Sequence, residues 1–128
     1  MTELLRALTA FFSGAGMPVY RKGWVPAGAR FPYLTLEAEI ADWRRVGYLA
    51  LTVWHRAEAD GSLRRMEDLE RLAARIPEGG LRLPYPGGMC LVRRARADFL
   101  RLIDGPDTAG ALGGQVSFDI VRYPRGCV

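Results

Sequence analysis

Pro32 restricts this chain more than any other single residue. A proline ring locks its own φ, removes a backbone donor and pushes the residue before it toward extended geometry. Phe31-Pro32-Tyr33 therefore opens a strand rather than a helix. From Leu34 to Ile40 apolar and polar side chains then alternate strictly, the period of a half-buried strand. Leu34, Leu36, Ala38 and Ile40 fall on one face, and Thr35, Glu37 and Glu39 on the other.

A second strand follows, joined to the first near Ala41–Arg44 and expected to run antiparallel to it. Leu49, Leu51 and Val53 share one face; Val46, Tyr48, Ala50, Thr52 and Trp54 share the opposite one. A strand apolar on both faces is usually covered on both. Two coverings fit: another subunit, or a loop of the same chain laid across the sheet.

Two helices frame this pair. The first is expected over Glu3–Ser13, with Thr2 as its cap and Leu4, Leu5, Leu8, Phe11 and Phe12 on one apolar face. Gly14 and Gly16 stop it. The second is expected to follow the Asp60-Gly61 turn, with Ser62 as its cap, and to end at Arg75 or Ile76 before Pro77. Its stripe Leu63, Met66, Leu69, Leu72, Ala73 and Ile76 reads as buried, with Met66 as core filling. Arg64, Arg65, Asp68 and Arg71 read as mostly solvated.

Short extended pieces complete the pattern: Met17–Tyr20 near the start, Leu81–Pro86 before the Gly87-Gly88 turn, and Gln115–Tyr123 at the end. In the last of these Val116, Phe118 and Ile120 face inward. Met89–Ile103 admits two readings. Leu91, Ala95, Phe99 and Leu102 suit a helix; Met89–Arg93 and Ala97–Ile103 suit two strands with a break. Arg21–Arg30 and Asp104–Gly114 read as loops. Trp24, in the first loop, either folds back onto the domain or meets a partner. The fold class that results is α+β: a single domain, residues 1–128, with a mainly antiparallel sheet and both helices packed on one face.

Composition excludes more than it assigns. A chain of 128 residues is one domain by length and can bury a real core. No apolar run approaches the roughly 18 residues of a membrane helix, and the first residues do not resemble a secretory signal. Cys90 and Cys127 are too few for a disulfide framework, which points to a reduced, cytoplasmic setting. Cys90 reads as buried and inert, Cys127 as incidental. The net charge of +4 is almost all arginine, since Lys22 is the only lysine. Apolar residues and Asp98 interrupt the densest cluster, Arg93, Arg94, Arg96 and Arg101, so a continuous nucleic-acid stripe is not expected.

Catalytic signatures are missing as well. His55 is the only histidine, and no local motif supplies a nucleophile or an orienting carboxylate; it reads as exposed or structurally hydrogen-bonded. Glu37 and Glu39 could place two carboxylates together, but they also describe a solvated strand face. The glycine pairs at 79–80, 87–88 and 113–114 are turns, because none leads into Lys-Ser/Thr and a helix. No catalytic residue, metal or cofactor is expected.

The Phe31-Pro32-Tyr33 start after a Gly/Pro loop and the strand Leu49-Ala50-Leu51-Thr52-Val53-Trp54 carry a resemblance. So do the helix beginning at Ser62 and the final strand ending at Arg122-Tyr123. Together they resemble the tail terminator (tail-completion, minor tail) proteins of long-tailed bacteriophages. The resemblance implies a small α+β structural protein of a phage or prophage, without catalytic residues. It also implies a hexameric ring on the head-proximal end of the tail tube, ending tail growth and preparing head–tail joining. The implied partners are other copies of the chain, the tail tube protein and the head–tail connector. The implied location is the virion tail, and the bacterial host cytoplasm during assembly. It favours strands for Met89–Ile103. The candidate interface residues are Trp24, Tyr48, Trp54 and Asp107. A head–tail connector, or a small ligand-binding or regulatory α+β domain, shares the same outline.

Overall fold

The computed structural model describes residues 2–56, 61–95, 99–104 and 111–124. In chain order the elements are α1 (Thr2–Ser13), β1 (Val19–Arg21), β2 (Tyr33–Glu39), β3 (Val46–Arg56) and α2 (Gly61–Ala74). They continue with β4 (Leu81–Tyr85), β5 (Gly88–Arg94), β6 (Leu100–Asp104) and β7 (Ala111–Pro124). The strands build one curled seven-stranded sheet in the order β1-β2-β3-β7-β5-β4, with β6 also paired to β7. Only β1 and β2 run parallel; the other pairings are antiparallel. The architecture is α+β, with a mostly antiparallel sheet and two helices.

β2 begins where proline geometry places it, one residue after a cis Phe31-Pro32 bond. It pairs with β3 from Tyr33 opposite Trp54 to Glu39 opposite Tyr48. Of the inward sets, Leu34, Leu36, Leu49, Leu51, Val53, Val116, Phe118 and Ile120 are buried, whereas Ala38 and Ile40 are only partly buried and Thr35, expected on the outer face, is buried. The other face of β3 is divided. Ala50 and Thr52 are buried within the chain, whereas Val46 and Tyr48 are exposed.

Within Met89–Ile103 the residues of β5 and β6 are strands, not a helix. β5 and β6 run in the same direction along one edge of β7, with Arg94 opposite Phe118 and Leu100 opposite Val116. Between them the Ser117 N–H donates to the Phe99 carbonyl at 2.9 Å, and the Ala95 N–H donates to the Ser117 carbonyl at 3.1 Å. The helix-favouring Arg, Ala and Leu content loses here because β7 offers a long-range ladder that propensity does not register. β7 itself starts at Ala111, so the expected loop Asp104–Gly114 is shorter at its C-terminal end. β1 is displaced by two residues from the expected start at Met17.

Leu4, Leu8 and Phe12 of α1 are fully buried, and the Phe12 ring stacks on Phe118 at 5.9 Å. On α2, Leu69 and Leu72 are buried. A Cβ at Gly114 would lie 2.5 Å from Leu69 Cδ1 and 3.0 Å from Arg65 Cγ, so glycine is what lets α2 approach β7 closely. Leu63 and Met66, expected in the buried stripe, are instead exposed, while Arg65 and Asp68, expected in solvent, are buried. Leu69, Leu72, Ala73 and Ile76 are buried as expected, so only the N-terminal half of the stripe departs: there α2 buries Arg65 and Asp68 and leaves Leu63 and Met66 exposed.

The burial of Arg65 belongs to a use of arginine that recurs in the fold. Arg65 donates to the Gly113 carbonyl at 3.2 Å, linking α2 to β7. Arg75 donates to the Phe11 carbonyl at 2.7 Å and lies 4.5 Å from the Phe11 ring centre. Arg94 donates to the Ala73 carbonyl at 3.0 Å, and Arg122 to the Ala41 carbonyl at 2.7 Å. Phe11 and Ala73 lie in the last turns of α1 and α2, where carbonyls lack intrahelical donors and the helix end carries partial negative charge. α1 has no basic residue of its own in that turn, so Arg75 supplies the charge from outside. Four arginines thus clamp one part of the fold to another.

Candidate functional site

The sequence-derived interface residues do not converge on one place. Trp24 follows β1 in a turn closed by its own N–H donating to the Arg21 carbonyl at 2.9 Å, and it is 75% exposed. It does not fold back onto the domain. Tyr48 lies on β3 opposite Asp119 and is exposed. Trp54 is on the same face of β3 but six residues further along. There it is partly buried, donates its indole N–H to Thr35 Oγ1 at 3.0 Å and lies beside Gly113. Asp107 lies outside the described residues, as do Cys127 and the Glu58–Asp60 part of the expected turn.

His55 has the orienting carboxylate that no local motif supplied. Its Nε2 lies 2.5 Å from Asp68 Oδ2, and both side chains are almost fully buried. Arg71, one helical turn on, donates to the other oxygen, Asp68 Oδ1. The pair joins the end of β3 to the middle of α2 across 13 residues of sequence. Spacing alone hides it, because the two residues sit on different elements. Asp68 is engaged on both oxygens by protein groups, which describes a structural tie rather than a base poised for substrate. A shallow groove beside it, lined by Glu67, Asp68, Glu70, Arg71 and Ala74, is open to solvent.

Glu37 pairs with Lys22 at 3.2 Å on an exposed face, so the carboxylates of Glu37 and Glu39 read as a solvated surface. Among the described residues no group of three or more His, Cys, Asp or Glu side chains is placed to hold a metal ion. No helix among them is long and apolar enough to cross a membrane.

Cys90 is fully buried, and burial pushes its thiol up to about 11, against smaller lowering effects from Arg122 and a backbone hydrogen bond at Val121. The thiolate is the reactive form. In a Cys127→Ser background, alkylation of Cys90 at pH 8 should therefore be about 100-fold slower in the folded protein than in denaturant. Equal rates in the two states, followed by mass spectrometry, would show that this thiol is accessible.

Trp43, Val46 and Tyr48 are exposed at and just before the start of β3, and exposed apolar side chains fall on two further surfaces. One is the Trp24 turn beside the edge strand β1. The other combines Leu63 and Met66 of α2 with Leu100 and Leu102 of β6. Leu69 packs over Gly114, and Gly114 is the register partner of Leu102, so the exposed leucines of β6 lie beside the helix. β6 pairs only with β7, which leaves its other edge open to a further strand among the described residues. No protein-family model matches this sequence, and neither does any curated protein.

Proposed function

We propose that this protein is a phage or prophage tail terminator, a ring of copies that caps the head-proximal end of the tail tube and prepares it for the head connector. The observation that carries this reading is that more than one separate exposed apolar surface, the Trp24 turn and the α2–β6 cluster among them, lies on a domain whose polar cluster is internally satisfied. A ring with cyclic symmetry needs two different complementary patches per subunit, because each copy contacts one neighbour with each. Tryptophan and methionine are enriched in such contacts, and a contiguous exposed apolar patch marks an interaction surface.

The order of elements supports the same reading. A helix, a Pro-Tyr strand, a strand ending near Trp54, a second helix and late strands follow one another as the resemblance implies. We also infer that both helices cover one face of the sheet. Phe118 meets Phe12 of α1, Gly114 lies beneath Leu69 of α2, and residues four apart on one strand share a face. That arrangement leaves the loops and sheet edges for contacts with the layers above and below.

Each subunit contact is expected to be weak alone, so that rings do not close before the tube is complete. A symmetric tube end then converts weak contacts into firm binding through effective concentration. Deleting the gene from its phage should give overgrown tails of irregular length that fail to join heads, measured by electron microscopy of lysates. Tails of normal length lacking heads would move the assignment to the connector. Normal, head-joined tails would overturn both.

A further inference from the structure

We propose that copies of this chain join head to tail, with the Trp24 turn of one copy seated on the α2–β6 surface of the next. The inference rests on the ring reading above and names the two surfaces that meet. Both are apolar at the centre. Trp24 offers one large exposed side chain, and Leu63, Met66, Leu100 and Leu102 offer a cluster of smaller ones.

Their charges are opposite. Arg21 and Lys22, which lead into the Trp24 turn, are exposed, with Lys22 also paired to Glu37. On α2, Glu67 and Glu70 are exposed beside Leu63 and Met66. At 3.6 residues per turn, positions 63, 66, 67, 70 and 74 fall in a sector about 100° wide, with Arg64 and Arg71 outside it. An apolar centre rimmed by acid on one surface thus answers an aromatic centre rimmed by base on the other. Such complementarity orients the encounter and disfavours wrong registers.

One subunit cannot satisfy both surfaces by itself. β2, β3 and β7 lie between β1 and β6 in the sheet, and four strand spacings span roughly 19 Å at the usual separation. The patches are therefore distinct, the contact is heterologous, and repetition leads to a closed ring or a filament.

The direct test places the photocrosslinker p-benzoylphenylalanine at position 24 of the full chain and irradiates it at millimolar protein concentration. Expected are intermolecular adducts on the peptides covering 63–74 or 100–104, read by mass spectrometry. Adducts confined to other surfaces, or none, would overturn the proposal. A second test mixes Trp24→Ala with Met66→Glu, both changes at exposed positions, with folding checked by circular dichroism. Each variant alone should lose at least tenfold in self-association, yet the mixture should form a one-to-one dimer and nothing larger by sedimentation. Undiminished self-association of Trp24→Ala, or no dimer in the mixture, would refute the pairing. These measurements use purified protein, so the gene-deletion phenotype can fail while the contact stands, and the reverse.

Discussion

Leu51→Asp should abolish the cooperative thermal transition and leave a chain without native near-ultraviolet dichroism. Leu51 is fully buried on β3, between Leu36 of β2 and Val116 of β7 in register, and both of those are buried too. Fully burying a leucine side chain contributes about 1.5–3 kcal/mol, all of it lost in this variant. An uncompensated carboxylate at the same place costs several kcal/mol more. The sum is comparable to the total stability of about 5–15 kcal/mol that domains of this kind possess. Leu51→Ala should be milder, at about 2–5 kcal/mol, and should keep the transition at lower temperature. If Leu51→Asp melts within a few degrees of the parent, the β2-β3-β7 face is not the core of the domain.

Asp68→Ala should cost about 3 kcal/mol, in the range seen when one partner of a buried ionic pair is removed. For a chain of this length that corresponds to a fall in melting temperature of roughly 10 °C. The change strips the carboxylate from the buried His55 imidazole and from Arg71 at once. Arg71 is mostly exposed and can rehydrate, whereas His55 is almost fully buried and cannot. Glu67→Ala, one residue away on the exposed side of α2, should stay within about 0.5 kcal/mol of the parent. Replacing both members, His55→Leu with Asp68→Leu, should recover a large part of the loss, because a well-packed apolar pair needs no compensation for buried charge. Equal melting temperatures for Asp68→Ala and Glu67→Ala would show that the pair does not hold α2 to β3. The same variants also bear on function: a structural tie predicts that assembly follows stability, with no separate defect at temperatures where the variant is folded.

The pattern of apolar residues along the chain was sufficient for much of the architecture. The alternation from Leu34 to Ile40 and from Val116 to Ile120 named core residues, most of which are buried in the folded protein. The helical spacing of Leu4, Leu8 and Phe12 did the same for α1. These patterns are legible because strand and helix periods are local: each residue's face follows from its neighbours' positions. The start of β2 after Pro32 is legible for the same reason, since proline acts on its own φ and on the residue before it.

The face of α2 was determined only in part in this way: Leu69, Leu72, Ala73 and Ile76 are buried as the spacing implies, whereas Leu63 and Met66 are not. In its N-terminal half the residues that turn inward are chosen by the partners the sheet supplies. Gly114 admits Leu69, the Gly113 carbonyl accepts from Arg65, and His55 meets Asp68. Those three contacts come from β3 and β7, far away in sequence, and together they turn buried charge inward and apolar residues outward. The break between β5 and β6 is of the same kind, because only pairing with β7 distinguishes it from a helix. By itself, then, the sequence determined the class of each strongly periodic segment and its inward residues. Tertiary structure alone decided the strand order, the burial of Arg65 and Asp68, and which apolar side chains were left at the surface for another molecule. The physical reason is that periodicity is set by backbone geometry over a few residues, whereas partner choice is set by contacts whose energies no local window contains.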